Sequence, residues 1–179
     1  HSRMQETTEG IRGMKTIWDA FAFAVRAHDK TPPRRGGDPS ILHPIRVAYG
    51  VGILNMNSDT VSGSECVRRM EECGYTQAAL LHDVIEDTNT TLKDLKDYGF
   101  GSQVTALVKV LTRREDQTYA DYIEDIVAFD LDSGWTGACF IKKFDIEDNY
   151  PTATDSMKKR YDKALKRLDP DSFYRSSLK

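Results

Sequence analysis

The chain has 179 residues, which is enough for one domain with a substantial hydrophobic core. Its 39% hydrophobic and 30% charged residues are ordinary for a globular protein, and its net charge of −3 argues against general nucleic-acid binding. No apolar run approaches the roughly 20 residues that span a bilayer, and no signal peptide is apparent, so we expect a cytoplasmic protein without membrane contact. The three cysteines, at positions 66, 73 and 139, form neither a disulfide set nor a zinc pattern.

Helical periodicity predominates along the chain, and no convincing strand-type alternation appears. The predicted helices cover residues 15–29, 44–54, 64–73, 76–86, 91–97, 101–112, 118–130, 136–149 and 156–168. We expect a polar loop at 55–63 and loose ends at 1–13 and 170–179, and His-Ser-Arg before Met4 is typical of a tag remnant. The pattern predicts an all-α protein, a single bundle of about eight or nine helices.

Residues 78–87, Ala-Ala-Leu-Leu-His-Asp-Val-Ile-Glu-Asp, are the most informative stretch. An α-helix advances about 100° per residue, so His82, Asp83, Glu86 and Asp87 fall within an arc of roughly 140°, opposite an apolar side. Asp83 and Asp87 are like charges at i,i+4, which destabilises a helix, and burying them costs more unless a cation neutralises them. A bound divalent cation would remove that cost. A solvated acidic helix face is the alternative.

Two other segments carry side chains of matching chemistry. His43 precedes Pro44, and proline is favoured at the first position of a helix, so we expect the His43 ring at a helix start, free to enter a cleft. Far downstream, Asp145, Asp148 and Asn149 share one helix face at i, i+3, i+4 spacing. Histidine, His-Asp and aspartate are thus distributed over three predicted helices.

This distribution resembles the HD metal-dependent phosphohydrolases. The order of Ala-His at 27–28, a basic loop, His-Pro at 43–44, the block 78–88 and Ile-Lys-x-x-Asp-x-x-x-Asn at 141–149 is most similar to the hydrolase domain of RelA/SpoT-type alarmone enzymes, especially their small stand-alone members. The resemblance covers residues 16–152. It implies an HD-domain helical bundle, for which we expect the bounds 14–169 between the two loose ends.

The resemblance also implies a role for each matched position. The metal ligands, usually for manganese, would be His43, His82, Asp83 and Asp145. Glu86 and Asp87 match the catalytic acidic pair beside the attacking water. Two imidazoles and two carboxylates leave positions open for water and substrate, as a catalytic metal site requires. Glu86, one turn beyond His82, can accept or orient the proton of that water, while Asp87 either shares the task or aligns a ligand.

Substrate contacts are implied at four more positions. Asn149 and Thr152 match positions that contact the nucleoside, and Arg34 and Arg35 lie where the family has a basic pair that contacts the guanine nucleotide. Their Pro/Gly-rich surroundings predict an exposed loop, so a merely solvated arginine pair is the alternative to phosphate or base contact. His28, at a helix end, is interpreted as hydrogen-bonded to neighbours near the cleft, with metal ligation as the alternative.

The chain departs from the family pattern at three positions that bear on the substrate. Ile146 replaces the arginine that usually follows the last ligand, Ser40 stands where tyrosine is usual, and Asp148 stands where many relatives carry histidine. None of these changes removes a proposed ligand.

The resemblance implies removal of the 3′-pyrophosphate from ppGpp or pppGpp, giving GDP or GTP and pyrophosphate, with a divalent metal as cofactor. Two alternatives stay open. One is an HD phosphohydrolase that acts on another nucleotide or a phosphorylated cofactor, and the other is a non-catalytic nucleotide-binding HD module. The expected partner is a small nucleotide rather than a nucleic acid or a membrane, and the sequence does not indicate an oligomeric state.

Overall fold

The computed structural model describes residues 15–56, 74–134 and 137–169. These residues form helices and connecting turns with no strand among them, which confirms the predicted all-α class. The helix predicted at 64–73, residues 57–63 of the predicted loop, and the ends at 1–13 and 170–179 lie outside the described residues. None of the described helices is long and apolar enough to cross a lipid bilayer.

The described helices follow one another with short connections. In chain order they are α1 (Ile17–His28), α2 (Leu42–Met56), α3 (Tyr75–Leu81), α4 (Val84–Asp87), α5 (Leu92–Tyr98), α6 (Ser102–Leu111), α7 (Tyr119–Ser133), α8 (Gly137–Asn149) and α9 (Asp155–Leu168). A 3₁₀ turn at Tyr150–Thr152 joins α8 to α9. Most of the predicted helix ends lie within two residues of the observed ones, which is the usual uncertainty in assigning a helix end.

The helix predicted at 76–86 is wrong in one respect, because it is interrupted at His82 and Asp83. Asp83 has φ −94° and ψ −7°, whereas an ideal helix has ψ near −42°. The backbone therefore departs from regular helical geometry at Asp83, just before α4 begins. The Asp87 N–H still bonds the Asp83 carbonyl at 2.9 Å. The one-turn relation between these two aspartates therefore survives the interruption.

Helix α3 is the centre of the hydrophobic core. Its residues from Gln77 to Leu81 are all buried, and it packs against α1, α2 and α6. Apolar residues at helical spacing form much of the surrounding core: Val104, Leu107, Val108, Leu111, Tyr122, Ile123, Ile126 and Leu168 are buried, and Tyr119, Tyr161 and Leu165 are partly buried. A helix enclosed in this way holds the His82–Asp83 segment at its C-terminal end in the interior of the protein.

Two glycines allow helix α8 to approach its neighbours closely. A Cβ atom on Gly50 of α2 would lie 2.6 Å from a ring carbon of Phe144 on α8. A Cβ atom on Gly137, at the start of α8, would lie 2.3 Å from the ring of Tyr75 on α3. Real Cβ atoms essentially never lie within 3.0 Å of another heavy atom, so a side chain at either position would displace the neighbouring ring.

The start of α8 is also fixed electrostatically. Asp130, buried near the end of α7, accepts hydrogen bonds from the backbone N–H groups of Ala138 at 3.1 Å and Cys139 at 2.8 Å. A carboxylate at a helix N-terminus satisfies otherwise unpaired N–H groups and interacts favourably with the helix dipole. Asp130 thereby ties α8 to α7, and α8 carries Asp145, Asp148 and Asn149.

Candidate metal centre

The structure brings the four side chains predicted as metal ligands together in the interior. One ligand atom each of His43, His82 and Asp83 lies within 4.8 Å of the other two. Asp145 Oδ1 lies 3.0 Å from His43 Nε2 and 3.7 Å from His82 Nε2. The two Nε2 atoms are 3.2 Å apart. The four residues are at most 9% exposed.

Three elements supply these groups. His43 lies in the first turn of α2, His82 and Asp83 occupy the junction between α3 and α4, and Asp145 lies within α8. Helix α3 packs extensively on α2, and α8 packs on α2 and contacts α3. Since all three elements meet in the core, the cluster depends on tertiary packing and not on any local motif alone.

Both imidazoles turn the same nitrogen toward the cluster. His82 Nδ1 lies 2.8 Å from the Ala79 carbonyl, and His43 Nδ1 lies 2.7 Å from Asp148 Oδ2. A carbonyl and a carboxylate accept hydrogen bonds, so in the neutral form of each ring this network assigns the proton to Nδ1. The Nε2 atoms, which face Asp83 and Asp145, are then available as ligand atoms.

The charges in the cluster are strongly coupled. Burial by itself lowers the pKa of His82, but the carboxylates of Asp83 and Asp145 outweigh it and raise that pKa to about 9. Burial likewise raises the pKa of Asp145, but the Lys142 ammonium, together with the contacts that both imidazoles make with this carboxylate, holds it well below its usual range. Lys142 Nζ donates to Asp145 Oδ2 at 2.5 Å, which leaves Oδ1 facing the imidazoles.

Arg34 reaches the cluster from the loop between α1 and α2. Its Nη2 atom contacts Asp83 Oδ2 and lies 3.1 Å from Asp87 Oδ2, and its Nη1 atom donates to Asn149 Oδ1 at 3.1 Å. Asn149 in turn donates to Asp145 Oδ1 at 2.7 Å. Arg34 is therefore bound by the acidic site, which contradicts the alternative that it is a solvated loop residue.

Glu86 lies at the rim of the site. Its Oε1 accepts a hydrogen bond from the backbone N–H of Arg113 at 2.6 Å. Although part of its surface is exposed, desolvation by the surrounding atoms raises its pKa, and the nearby Asp83 charge adds to that rise against the opposing Arg113 bond. A carboxyl group whose pKa is raised toward neutrality is better suited to exchange protons with a reacting group.

A cavity of about 540 Å³ opens beside the cluster. All six residues predicted for catalysis or substrate contact line it: Arg34, Arg35, Glu86, Asp87, Asn149 and Thr152. Arg35 is exposed, and its Nη1 atom lies 3.6 Å from the Met157 sulfur. The Thr152 hydroxyl donates to the Asn149 carbonyl at 3.3 Å. The volume lies within the usual range for small-molecule sites.

Several side chains at the site have no contact assigned to them by the sequence. Asp148 contacts His43, Arg46 contacts Asp148, and the partly buried Lys142 contacts Asp145. The i,i+3 spacing of Lys142 and Asp145 is a usable sequence signal. His28 corrects an expectation, because it is buried and neither ring nitrogen has a hydrogen-bond partner in the described part of the chain.

No model of a known protein family matches the sequence. The chain is 35% identical over 97 residues to a guanosine-3′,5′-bis(diphosphate) 3′-pyrophosphohydrolase of Aquifex aeolicus, a match that covers 54% of this chain and 12% of that protein. It is 32% identical over 108 residues to the protein of the same name from Vibrio cholerae, covering 60% and 13%. A bifunctional (p)ppGpp synthase/hydrolase SpoT of Escherichia coli is 31% identical over 108 residues, also covering 60% and 13%.

The chain thus spans only about an eighth of the length of these curated relatives. A solved structure, described as a metazoan ortholog of SpoT that hydrolyzes ppGpp and plays a role in starvation responses, superposes with a TM-score of 0.60. It is 21% identical, and the alignment covers 85% of this chain and 82% of that one, so it shows a shared fold. The sequence similarity and the common helical fold relate this chain to the RelA/SpoT-type proteins and support its resemblance to their HD hydrolase domain.

Proposed function

We propose that this protein is a metal-dependent hydrolase that removes the 3′-pyrophosphate from ppGpp or pppGpp, giving GDP or GTP and pyrophosphate. The close grouping of His43, His82 and Asp83, with Asp145 against both imidazoles and a cavity alongside, is the observation that carries the proposal. The relatives named as ppGpp pyrophosphohydrolases support the choice of substrate.

The four central residues would hold the metal. Two neutral imidazole nitrogens with two carboxylates form a mixed nitrogen and oxygen set that suits a divalent first-row metal, and the proposed ion is Mn²⁺. The set fits because both Nε2 atoms lie within 4 Å of an Asp145 oxygen and each also faces Asp83. When bound, such a cation lowers the pKa of water and polarises a phosphoryl oxygen.

Glu86 and Asp87 act at the edge of the cavity. Glu86, whose pKa is raised, would accept the proton of the attacking water and so is the proposed general base. Asp87 is bound to Arg34, so its proposed task is to hold that guanidinium beside the reacting phosphate. In the net reaction, water adds to phosphorus, the bond from phosphorus to the 3′ oxygen breaks, and the 3′ oxygen gains a proton.

The nucleotide would occupy the 540 Å³ cavity. Arg34 and Arg35 supply the cations for a polyanionic substrate in a chain whose net charge is −3. The planar guanidinium group suits bidentate contact with phosphate. Asn149 and Thr152, which line the same cavity, are the proposed nucleoside contacts.

The test combines metal analysis of the purified protein with a release screen for orthophosphate and pyrophosphate across nucleotides. Pyrophosphate released from ppGpp supports the proposal. Orthophosphate released from another nucleotide identifies a different HD phosphohydrolase, and bound metal without either product identifies a nucleotide-binding module. A His82→Ala preparation measures contaminating activity, and Glu147→Gln, a change at an exposed residue of α8, serves as the matched active control.

A further inference from the structure

The two ring nitrogens of His43 face different surroundings. Its Nε2 atom points into the cluster, 3.0 Å from Asp145 and 3.4 Å from Asp83. Its Nδ1 atom points away, 2.7 Å from Asp148 Oδ2. The His43 side chain is completely buried, and both of its ring nitrogens lie against carboxylates. When Nε2 binds a cation in the cluster, the proton of the neutral ring lies on Nδ1, where Asp148 accepts it.

Asp148 is itself held in place by an arginine. Arg46 Nε donates to Asp148 Oδ1 at 2.6 Å, and Arg46 Nη2 donates to Oδ2 at 3.0 Å. The third Arg46 nitrogen, Nη1, donates to Asp38 Oδ2 at 3.0 Å. A carboxylate in a two-point contact with arginine stays ionised and can only accept hydrogen bonds. Asp38 connects this arrangement to the loop that carries Arg34, whose backbone N–H bonds the Asp38 carbonyl at 2.9 Å.

We infer that Asp148, fixed by Arg46, is a positioning residue that keeps the proton of His43 on Nδ1 and so presents an unprotonated Nε2 to a divalent metal. The inference rests on the metal site proposed above. A carboxylate on the far nitrogen of a metal-binding imidazole fixes the orientation of the ring and increases its basicity as a ligand. Many members of the family that the sequence resembles carry histidine at the position of Asp148. The carboxylate beside His43 is therefore a feature of this chain.

The second imidazole provides an internal comparison. His82 donates from Nδ1 to the backbone carbonyl of Ala79, three residues earlier in the chain. That partner is neutral and cannot be removed by substitution, whereas the partner of His43 is a side chain from another helix. A substitution at Asp148 therefore changes the environment of one metal-binding imidazole and leaves that of the other intact.

The test measures the dissociation constant for Mn²⁺ by calorimetry in the wild type, Asp148→Ala, Asp148→Asn and Glu147→Gln. We expect Asp148→Ala to weaken binding about 10- to 100-fold, the range for losing such a partner. Asp148→Asn keeps an acceptor oxygen without the charge, so its loss should be smaller but at least about threefold. Glu147 is exposed and adjacent in sequence, and its substitution should leave affinity unchanged.

Nitrogen NMR of the Zn²⁺-loaded protein gives a second readout. It should detect the proton on His43 Nδ1 in the wild type, a weaker or exchanging signal in the Asp148 variants, and an unchanged His82 signal. If the wild type binds no divalent metal, both the metal site and the inference fail. If the wild type binds metal and a folded Asp148→Ala variant binds it equally well, only the inference fails. If the alanine variant does not fold, the affinity of Asp148→Asn decides in the same way.

Discussion

The central cluster and the rim of the cavity are held in place by different means. His43 and Asp145 are buried on helices that pack in the core, and His82 and Asp83 are buried at the junction that follows the central helix α3. Arg35, Glu86 and Thr152 on the rim are exposed and lie on a loop, a four-residue helix and a 3₁₀ turn. Packing fixes the centre, whereas a few hydrogen bonds fix the rim. Metal retention and turnover should therefore be separable by mutation.

The largest effect is expected from substitutions at the centre. Asp83→Ala or His82→Ala should abolish both metal retention and hydrolysis, because each removes a proposed ligand atom from the buried cluster. Metal content by mass spectrometry and product release are the measurements. Asp97→Ala, at an exposed residue whose pairing with Lys93 contributes about 1 kcal/mol at most, is the control for folding and handling. Full activity in either central variant would remove the proposed site.

A substitution at the rim of the cavity should reduce turnover without reducing metal retention. Glu86→Gln preserves shape and leaves the four central residues intact, so we expect wild-type metal content. The amide cannot accept a proton from water, so kcat should fall by about 10²-fold or more. Steady-state kinetics alongside metal analysis check both parts, with Glu147→Gln as the matched change on α8. An unchanged kcat would refute the assignment of Glu86 as the base.

The affinity of the central cluster for a divalent metal should increase with pH. In the metal-free protein the pKa of His82 is about 9, so its imidazole is protonated at neutral pH and must release that proton to bind metal. The apparent affinity for a divalent metal should rise with pH up to about 9, by as much as tenfold per pH unit. Calorimetry in buffers of different ionisation enthalpy would detect the released proton. An affinity independent of pH across this range would contradict the prediction.

The same shift predicts the opposite trend for stability. The folded-state pKa of His82 lies above its usual value of 6.5. The contribution of protonated His82 to the stability of the metal-free fold is therefore fully present below about pH 6.5 and is lost as pH rises through about 9. The melting temperature of the metal-free protein should fall over the interval in which metal affinity rises. Metal-saturated protein, in which the proton is already absent, serves as the control.

The contrast between centre and rim also explains what sequence reasoning recovers. Helical spacing predicts that His82, Asp83 and Glu86 share a face, and apolar periodicity predicts buried positions such as Leu107 and Ile126. The interruption of the helix at 82–83 is not predicted, because no glycine or proline marks it. That His43 and Asp145 meet this segment follows from the family resemblance, since residue spacing contains no information on how distant helices pack.

Side-chain partners far apart in sequence are the part that could not be predicted. Arg46 and Asp148 are 102 residues apart, and their contact exists only because α2 and α8 pack against each other. Arg34 lies in a Pro/Gly-rich loop whose sequence is equally compatible with a solvated guanidinium. Its contact with Asp87 depends on the loop's fold, which the Asp38 backbone and side chain both stabilise.

The smallest effect is expected for the two loop arginines, and it should differ between them. Arg34 has three partners at the site, whereas Arg35 is exposed and contacts one methionine sulfur. A hydrogen bond to a charged group contributes about 1.5–3 kcal/mol, so Arg34→Ala should raise KM for the nucleotide by about tenfold or more. Arg35→Ala should raise KM only a few-fold, in line with a solvent-screened contact of about 1 kcal/mol or less. Steady-state kinetics at two ionic strengths check the ranking, since the Arg35 effect should diminish with salt. Equal KM values for Arg34→Ala and the wild type would mean that this guanidinium only neutralises the acidic site and does not contact the nucleotide.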